Sequence, residues 1–269
     1  MKIFSTKNKL IKFIQNEKNL GFVPTMGSIH EGHISLMKKS ISQCTKTIVT
    51  IFVNKPQFNR KNDYQKYPRT LKKDISILKK LNINYLYLPS NLEIYPAGIN
   101  KKIKIDSFSK KLCGAYRPGH FEAVADVINR FIKIIKPSKI YFGEKDMQQL
   151  KILENYINKN HPYTKVISCK TIREKNGIPF SSRNILLTKI EKNIAKDIFN
   201  LIRKNKKKII NNSILLKLIK KQIFILGAKK IDYVKVLDVN KLIKPYKKNK
   251  KYKIFIAYFL NKTRLIDNI

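Results

Sequence analysis

Tryptophan is absent from this chain of 269 residues, and glycine, histidine and cysteine are scarce, at nine, four and three. The cysteines, Cys44, Cys113 and Cys169, form an odd and widely spaced set with no C-x-x-C pair, which argues against a disulfide framework and against a zinc site. No apolar run approaches the roughly 18 residues that a membrane-spanning helix needs. Met1 to Leu20 scatters lysines through positions where a signal peptide would keep an unbroken apolar core, so a cytoplasmic protein without membrane contact is expected. No Walker string, G-x-x-x-x-G-K-[ST], occurs either, which disfavours a P-loop NTPase.

Acidic residues number only 17 against 58 lysines and arginines, for a formal net charge of +41. Such a charge raises nucleic-acid binding as a first idea. Only eight of the basic residues are arginine, however, and it is the arginine fork that base-edge and phosphate recognition favours. Lysines run along the whole chain, with clusters at Lys206 to Lys208 and Lys247 to Lys253 but no single basic arm. The bias toward lysine, isoleucine and asparagine reads as compositional, their codons being rich in A and T, and no specific nucleic-acid partner is expected. The charge still favours the approach of small anions.

What is present is enough to fold: 43% of the residues are hydrophobic, sufficient for one large domain or two ordinary ones. In the first two thirds, short β-branched runs alternate with helical periods. Strands are read near Leu20–Pro24, Thr47–Val53, Ile83–Leu88, Lys139–Phe142 and Lys165–Cys169. Between them fall a helix from about Ile34 to Cys44, one marked by Leu71, Ile75, Leu78 and Leu81, one by Val124, Val127, Ile128, Phe131 and Ile135, and one at Met147–Ile157. This alternation predicts an α/β fold, a Rossmann-like doubly wound parallel sheet, over residues 1–171. Residues 172–269 read as a smaller C-terminal α+β domain, with helices at Glu191–Lys204 and Ser213–Ile225 and strands near Ile231–Leu237 and Lys253–Leu260. Gly177 and Pro179 mark the connection between the two as a loop or hinge.

Scarce residues are also clustered. Gly27, His30, Gly32 and His33 fall within seven residues, in the string Pro24-Thr25-Met26-Gly27-Ser28-Ile29-His30-Glu31-Gly32-His33, between a strand and a helix start. Free backbone N–H groups and the helix dipole favour phosphate at such a place, and two histidines three residues apart can both donate to it. A two-histidine metal site lacks a third ligand nearby. Asn54 and Gln57, in Ile51 to Phe58, end the second strong strand with neutral amides able to orient a hydroxy acid. A second glycine cluster, Leu112 to Phe121, contains Gly114, Gly119, Arg117 and His120, which can meet an anion. Gly143-Glu144-Lys145-Asp146, followed by Gln149, joins a strand to a helix and offers a close backbone approach, a point charge and a cap. Finally, Phe180-Ser181-Ser182-Arg183-Asn184 offers two hydroxyls and a guanidinium as an anion clamp, placed where a second domain can close over phosphates. Singly, each string also reads as ordinary structure: satisfied loop histidines, a polar strand end, a glycine-rich connection, a surface charge cluster, a capped turn with a solvated arginine.

Together and in this order they resemble a known family. P-T-M-G-x-x-H-x-G-H resembles the HIGH-type nucleotide motif of class I aminoacyl-tRNA synthetases and small nucleotidyltransferases, in the wording characteristic of the pantothenate synthetase (pantoate–β-alanine ligase) family. Further agreement lies in Tyr67-Pro68-Arg69-Thr70-Leu71, Glu93-Ile94-Tyr95-Pro96 and Arg264-Leu265-Ile266-Asp267-Asn268, so the resemblance covers about residues 1 to 268. It implies ATP-dependent condensation of (R)-pantoate with β-alanine to pantothenate through a pantoyl adenylate, with release of AMP and pyrophosphate, by a homodimer that uses Mg²⁺. By the same resemblance, ATP is met by Met26, Gly27, Ser28, Ile29, His30, Glu31, Gly32 and His33, by Gly143, Glu144, Lys145 and Asp146, and by Ile172, Phe180, Ser181, Ser182 and Arg183. Gln57, Gln149 and Asn54 then face pantoate and β-alanine; His33, His30, Lys145 and Arg183 are the catalytic groups, His33 as the implied proton donor; and residues 172–269 are the lid. Departures from the family's pattern are the Lys55-Pro56 order where proline then a variable residue is usual, Ala123 where glycine is common, and Phe180 where leucine or methionine is common. Two rival readings differ in what they make: another HIGH-type nucleotidyltransferase yields a nucleotidylated product without an amide, and a basic nucleic-acid-binding protein yields none.

Overall fold

The computed structural model describes residues 1–209, 212–239 and 251–269; of the lysine cluster at 247–253, residues 247–250 lie outside them. The described chain divides into two compact units, residues 1–144 with 149–170, and residues 145–148 with 171–269.

Six parallel strands build the first unit: β1 Lys2–Phe4, β2 Leu20–Thr25, β3 Lys46–Ile51, β4 Tyr85–Tyr87, β5 Lys139–Gly143 and β6 Lys165–Cys169, in the order β1-β4-β3-β2-β5-β6. The helices are α1 Lys7–Ile14, α2 Glu31–Gln43, α3 Lys61–Gln65, α4 Leu71–Lys80, α5 Asn91–Ile94, α6 Cys113–Tyr116, α7 His120–Ile135 and α8 Met147–Asn160. This is the doubly wound parallel sheet that the alternation of runs predicts. Its central strands are apolar on both faces, as burial by helices on each side requires. On one face Val23, Val49 and Leu86 pack with Leu36 and Met37 of α2 and Leu78 of α4. On the other, Phe131 of α7 meets Phe22, Phe52 and Tyr87 edge-on, at centroid distances of 5.7, 5.9 and 6.2 Å. A Cβ on Gly21 would run into Ser40 Oγ, so this glycine lets α2 lie close on β2.

One feature of the sheet locates a site. β2 pairs with β3 at every position from Leu20 to Thr25, but with β5 only at Gly21 and Phe22. The chain leaves β2 toward β3 on one side while β5 flanks it on the other, so the strand order reverses here. The carboxyl edge of β2 is thus the topological switch point, where ligands of such folds bind. Pro24, with no N–H to give, falls after the pairing with β5 has ended.

The second unit carries α9 Lys189–Ile209, α10 Ser213–Ile225 and an antiparallel sheet of β7 Lys230–Asp238, β8 Tyr252–Leu260 and β9 Thr263–Asn268, in that order. Its core is isoleucine-rich: Ile198 and Ile202 of α9 and Ile219 and Ile223 of α10 pack with Ile254 and Ile256 of β8. The segment read as a loop or hinge is a tight hairpin. Gly177 donates its N–H to the Glu174 carbonyl at φ +88, Arg173 bridges Pro179, and a Cβ on Gly177 would strike the Phe199 ring. Two strands lie outside the periodicity reading. β1 has three residues and pairs only with β4, while β9, Thr-Arg-Leu-Ile-Asp-Asn, is too polar for a simple apolar alternation.

Candidate active site

Where β2 ends, the main chain takes up two left-handed residues in succession, Gly27 at φ +79 and Ser28 at φ 52. Glycine adopts this freely, whereas serine does so at a cost. The turn is held by Asp74 in the first turn of α4, a carboxylate only 1% exposed. Its Oδ2 accepts the Ser28 N–H at 2.9 Å, and its Oδ1 accepts the Ile29 N–H at 2.8 Å and the Thr70 hydroxyl at 3.0 Å. The Thr25 hydroxyl donates to the Thr50 carbonyl at 2.7 Å and accepts the Gly27 N–H at 3.1 Å. A Cβ on Gly27 would crowd Ile51 and Asp74 at 3.0 and 3.1 Å.

The turn delivers the chain to α2 with His30 as its N-cap. His30 Nδ1 accepts the Gly32 N–H at 3.1 Å, so the ring carries its proton on Nε2 and can donate from there. The His33 ring stacks on it, centroids 4.0 Å apart and planes inclined by 25°. Both rings are half-buried and Glu31 between them is exposed. Two imidazole edges and the open N-terminus of a 13-residue helix together suit a phosphate chain.

Beside this loop, leaving the same edge of the sheet from β3, comes a 3-10 turn at Lys55–Gln57 with Pro56 near its start. Gln57 N–H donates to the Asn54 carbonyl at 3.3 Å and Phe58 N–H to the Lys55 carbonyl at 3.1 Å, so the displaced proline sits where no N–H is needed. Asn54 is 1% exposed, and its amide is taken by protein partners. Nδ2 donates to Gln57 Oε1 at 3.0 Å and to the Ala123 carbonyl at 3.2 Å, while Oδ1 accepts the Tyr95 hydroxyl at 2.7 Å. The half-buried Gln57 points its Nε2 at Met26 Sδ, 3.2 Å away.

Arg117 and His120 hold the backbone of that same residue. The Gln57 carbonyl accepts Arg117 Nη2 at 3.1 Å and His120 Nδ1 at 2.8 Å, and Arg117 Nη1 lies 3.1 Å from His120 Nε2. A carbonyl only accepts and a guanidinium only donates, so His120 satisfies both as the neutral Nδ1–H ring. The glycine-rich segment therefore clamps Gln57 from behind. At Gly143 a Cβ would meet no protein atom within 4 Å, so packing does not demand the glycine. Gln149 is half-buried on α8.

Of the remaining residues singled out in the sequence, Glu144 is half-buried in the first unit and the others belong to the second. Lys145 lies with its Nζ 3.7 Å from Asp146 Oδ2, and its carbonyl accepts Asn268 Nδ2 at 2.8 Å. In Phe180 to Asn184, the Ser181 hydroxyl caps the following turn by accepting the Arg183 N–H at 3.3 Å, while buried Asn184 ties the turn to Glu174 at 2.8 Å and to the Pro179 carbonyl at 3.1 Å. Ser182 is buried, Phe180 and Arg183 are half-buried, and Ile172 is exposed. Nearby, Arg173 grips Asp267 with both arms, at 2.7 and 2.9 Å, and gives further hydrogen bonds to the carbonyls of Gly177 and Asn268. Its guanidinium also covers the Phe199 ring at 4.8 Å. Burial pushes the Asp267 carboxyl above its ordinary value of 3.8 despite that cation.

The sequence does not single out Asp74, Tyr95 or the Arg173–Asp267 pair as functional. The resemblance does mark Tyr67–Leu71, Glu93–Pro96 and Arg264–Asn268; Tyr95 and Asp267 lie in the second and third of these, and Asp74 lies three residues beyond the first, bonded to its Thr70.

Comparison with known proteins gives one family. A sequence profile described as pantoate-beta-alanine ligase matches residues 2–269. A pantothenate synthetase of Flavobacterium psychrophilum is 40% identical over 269 residues, 98% of this chain and 95% of that protein. One of Thermosipho africanus is 36% identical over 271 residues, 100% and 98% of the two chains. Among solved structures, the pantoate-beta-alanine ligase of Francisella tularensis, complexed with beta-gamma ATP and beta-alanine, superposes with a TM-score of 0.88 at 36% identity, covering 100% and 97%. The pantothenate synthetase of Thermus thermophilus does so with a TM-score of 0.92 at 28% identity, covering 100% and 99%.

Proposed function

This chain belongs to the pantoate–β-alanine ligase family, and on that premise we propose how its residues divide the ATP-dependent condensation of pantoate with β-alanine. The pantoate carboxylate attacks the α-phosphorus of ATP, an O–P bond forms, the bond to pyrophosphate breaks, and a pantoyl adenylate results. The β-alanine amine then attacks the activated carbonyl; the C–N bond forms, nitrogen gives up a proton, and AMP leaves with the oxygen. No protein nucleophile takes part.

His30, through Nε2–H, and His33 are assigned to the phosphate charge that develops as pyrophosphate departs, and His33 to proton donation. Lys145, Ser182 and Arg183 are assigned to the same charge. Met26 to His33, Gly143 to Asp146, Ile172 and Phe180 to Arg183 are the residues taken to meet ATP. Gln57 and Gln149 hold pantoate and β-alanine, with Asn54 behind Gln57. The observation that carries this reading is the turn at residues 26–30, locked by Asp74 at the switch point of the sheet and opening onto the stacked His30 and His33. The bare space around Gly143 supports a ligand rather than a side chain as its neighbour.

Among the described residues no three His, Cys, Asp or Glu side chains are grouped to hold a metal ion. The described residues therefore offer no three-ligand site of their own for a metal. Mg²⁺ would be held by the nucleotide's own phosphates, where it would help to neutralise their charge. No helix among the described residues is long and apolar enough to cross a membrane. A cytoplasmic homodimer is proposed on family resemblance, and sedimentation velocity tests the assembly.

The deciding assay measures pyrophosphate release with ATP and Mg²⁺, adding pantoate and β-alanine separately and together, with mass detection of product. Pyrophosphate with pantoate alone, and pantothenate with both, are expected. A nucleotidylated acceptor without an amide would establish the rival transferase instead.

A further inference from the structure

We propose that Asn54 and Tyr95 are positioning residues which make Gln57 a pure hydrogen-bond donor toward its substrate, so that Gln57 donates to substrate oxygens and turns away the β-alanine ammonium. The inference rests on the assignment of Gln57 to substrate given above and adds the polarity of that contact.

The Ala123 carbonyl can only accept, so the end of the Asn54 amide facing it at 3.2 Å is the NH₂ end. That same nitrogen faces Gln57 at 3.0 Å, so the inner end of the Gln57 amide is its oxygen. The outer end is then Nε2, carrying two hydrogens. Its neighbour, the Met26 sulfur at 3.2 Å, is a weak acceptor that a substrate oxygen readily replaces.

Tyr95 closes the arrangement. Its hydroxyl donates to Asn54 Oδ1 at 2.7 Å, which fixes the other end of that amide. The phenol is itself fixed: Arg130 covers its ring at 4.5 Å, bonded in turn to Asp126 at 2.8 Å and to the carbonyls of Ile94 and Gly98 at 2.7 and 2.9 Å. Burial, with Asp126 nearby, raises the Tyr95 phenol above its ordinary value of 10, so it stays protonated and stays a donor. Arg117 and His120 pin the Gln57 carbonyl. With backbone and inner amide end both held, only the outer NH₂ is offered. Its partner is an oxygen of pantoate or the carboxylate of β-alanine, because an ammonium has no lone pair to give.

Steady-state constants of the purified full chain test both halves. Gln57→Ala is expected to raise the KM for pantoate about tenfold or more, the loss of a hydrogen bond to a charged group. Gln57→Glu, which keeps the shape but presents oxygen, is expected to raise it further. A KM within twofold of wild type for Gln57→Glu would overturn the donor assignment. Tyr95→Phe, which keeps the ring contacts, is expected to raise the pantoate KM about threefold to tenfold with the ATP KM unchanged. In the double variant Tyr95→Phe should add nothing to Gln57→Ala, since its effect passes through that side chain. Full additivity would show that Tyr95 acts elsewhere and would overturn the positioning role alone. An unchanged pantoate KM in Gln57→Ala would instead remove the substrate assignment of Gln57 and the inference with it.

Discussion

Each of the two units buries a carboxylate that holds a stretch of backbone in place, and the two are satisfied by opposite means. Asp74 takes two backbone N–H groups and a threonine hydroxyl, all neutral, and so fixes the main chain of residues 28 and 29. Asp267 takes the guanidinium fork of Arg173, along with the Asn268 N–H at 2.7 Å, and so ties the hairpin at 173–179 to the last strand. Neutral dipoles suit a loop whose unusual φ angles must be repeated in every molecule. A bidentate ion pair suits two segments 94 positions apart that need a crosslink. What is left behind when either is broken differs accordingly: unpaired amides in one case, a stranded charge in the other.

Arg173→Ala should therefore be the costliest change. Removing one partner of a buried pair costs about 3 kcal/mol or more, read by denaturant unfolding. The same variant tests the sign of the Asp267 shift. A carboxyl whose folded value is raised folds more readily when protonated, so the penalty is fully present above that folded value and fades as pH falls toward its ordinary 3.8. The stability difference from wild type should shrink as pH is lowered from 8 to the carboxyl's ordinary 3.8; a difference constant over that whole range would mean that Asp267 is not the stranded charge. Next comes His33→Ala, which removes the proposed proton donor while leaving the hold of Asp74 on residues 28 and 29 intact. Adenylate formation should fall at least about 100-fold, with the thermal midpoint unchanged. Asp74→Asn should show the converse mixture. An amide must turn one NH₂ toward a backbone N–H, costing about 1–3 kcal/mol of stability, and the ATP KM should rise with it. The smallest effect is expected of Gly143→Ala, where the added methyl meets no protein atom within 4 Å. Stability should stay within about 0.5 kcal/mol, and a rise in the ATP KM alone would mark the nucleotide as the neighbour that glycine makes room for.

The first unit is largely legible because its central strands are unbroken apolar runs set between amphipathic helices, and a pattern of that kind is local. β2 and β3 each lie within one or two residues of the spans read from composition. α2 begins at Glu31, three residues before the expected Ile34, because His30 caps it, which periodicity does not register. β1 and β9 escape for a shared reason: one is three residues long, the other polar, and each is a strand because a neighbour pairs with it. The site divides in the same way. His30, His33 and Gln57 stand out as rare or spaced residues, whereas Asp74 acts on a loop 45 and 46 positions before it and Tyr95 on an amide 41 positions away. Contacts at such separations leave no periodic trace, so Tyr95 can be reached only through the motif segment that carries it, and Asp74 only through the segment that ends three residues before it.

The hydrogen bond from Asn268 to the Lys145 carbonyl spans 123 positions. A chain emerging from the ribosome folds its early segments first, so the parallel sheet can form while the loop at 145 still lacks its late partner. The loop at 145 is thereby left without this tether until a residue 123 positions later has been made, so its final geometry is set well after the strand that leads into it.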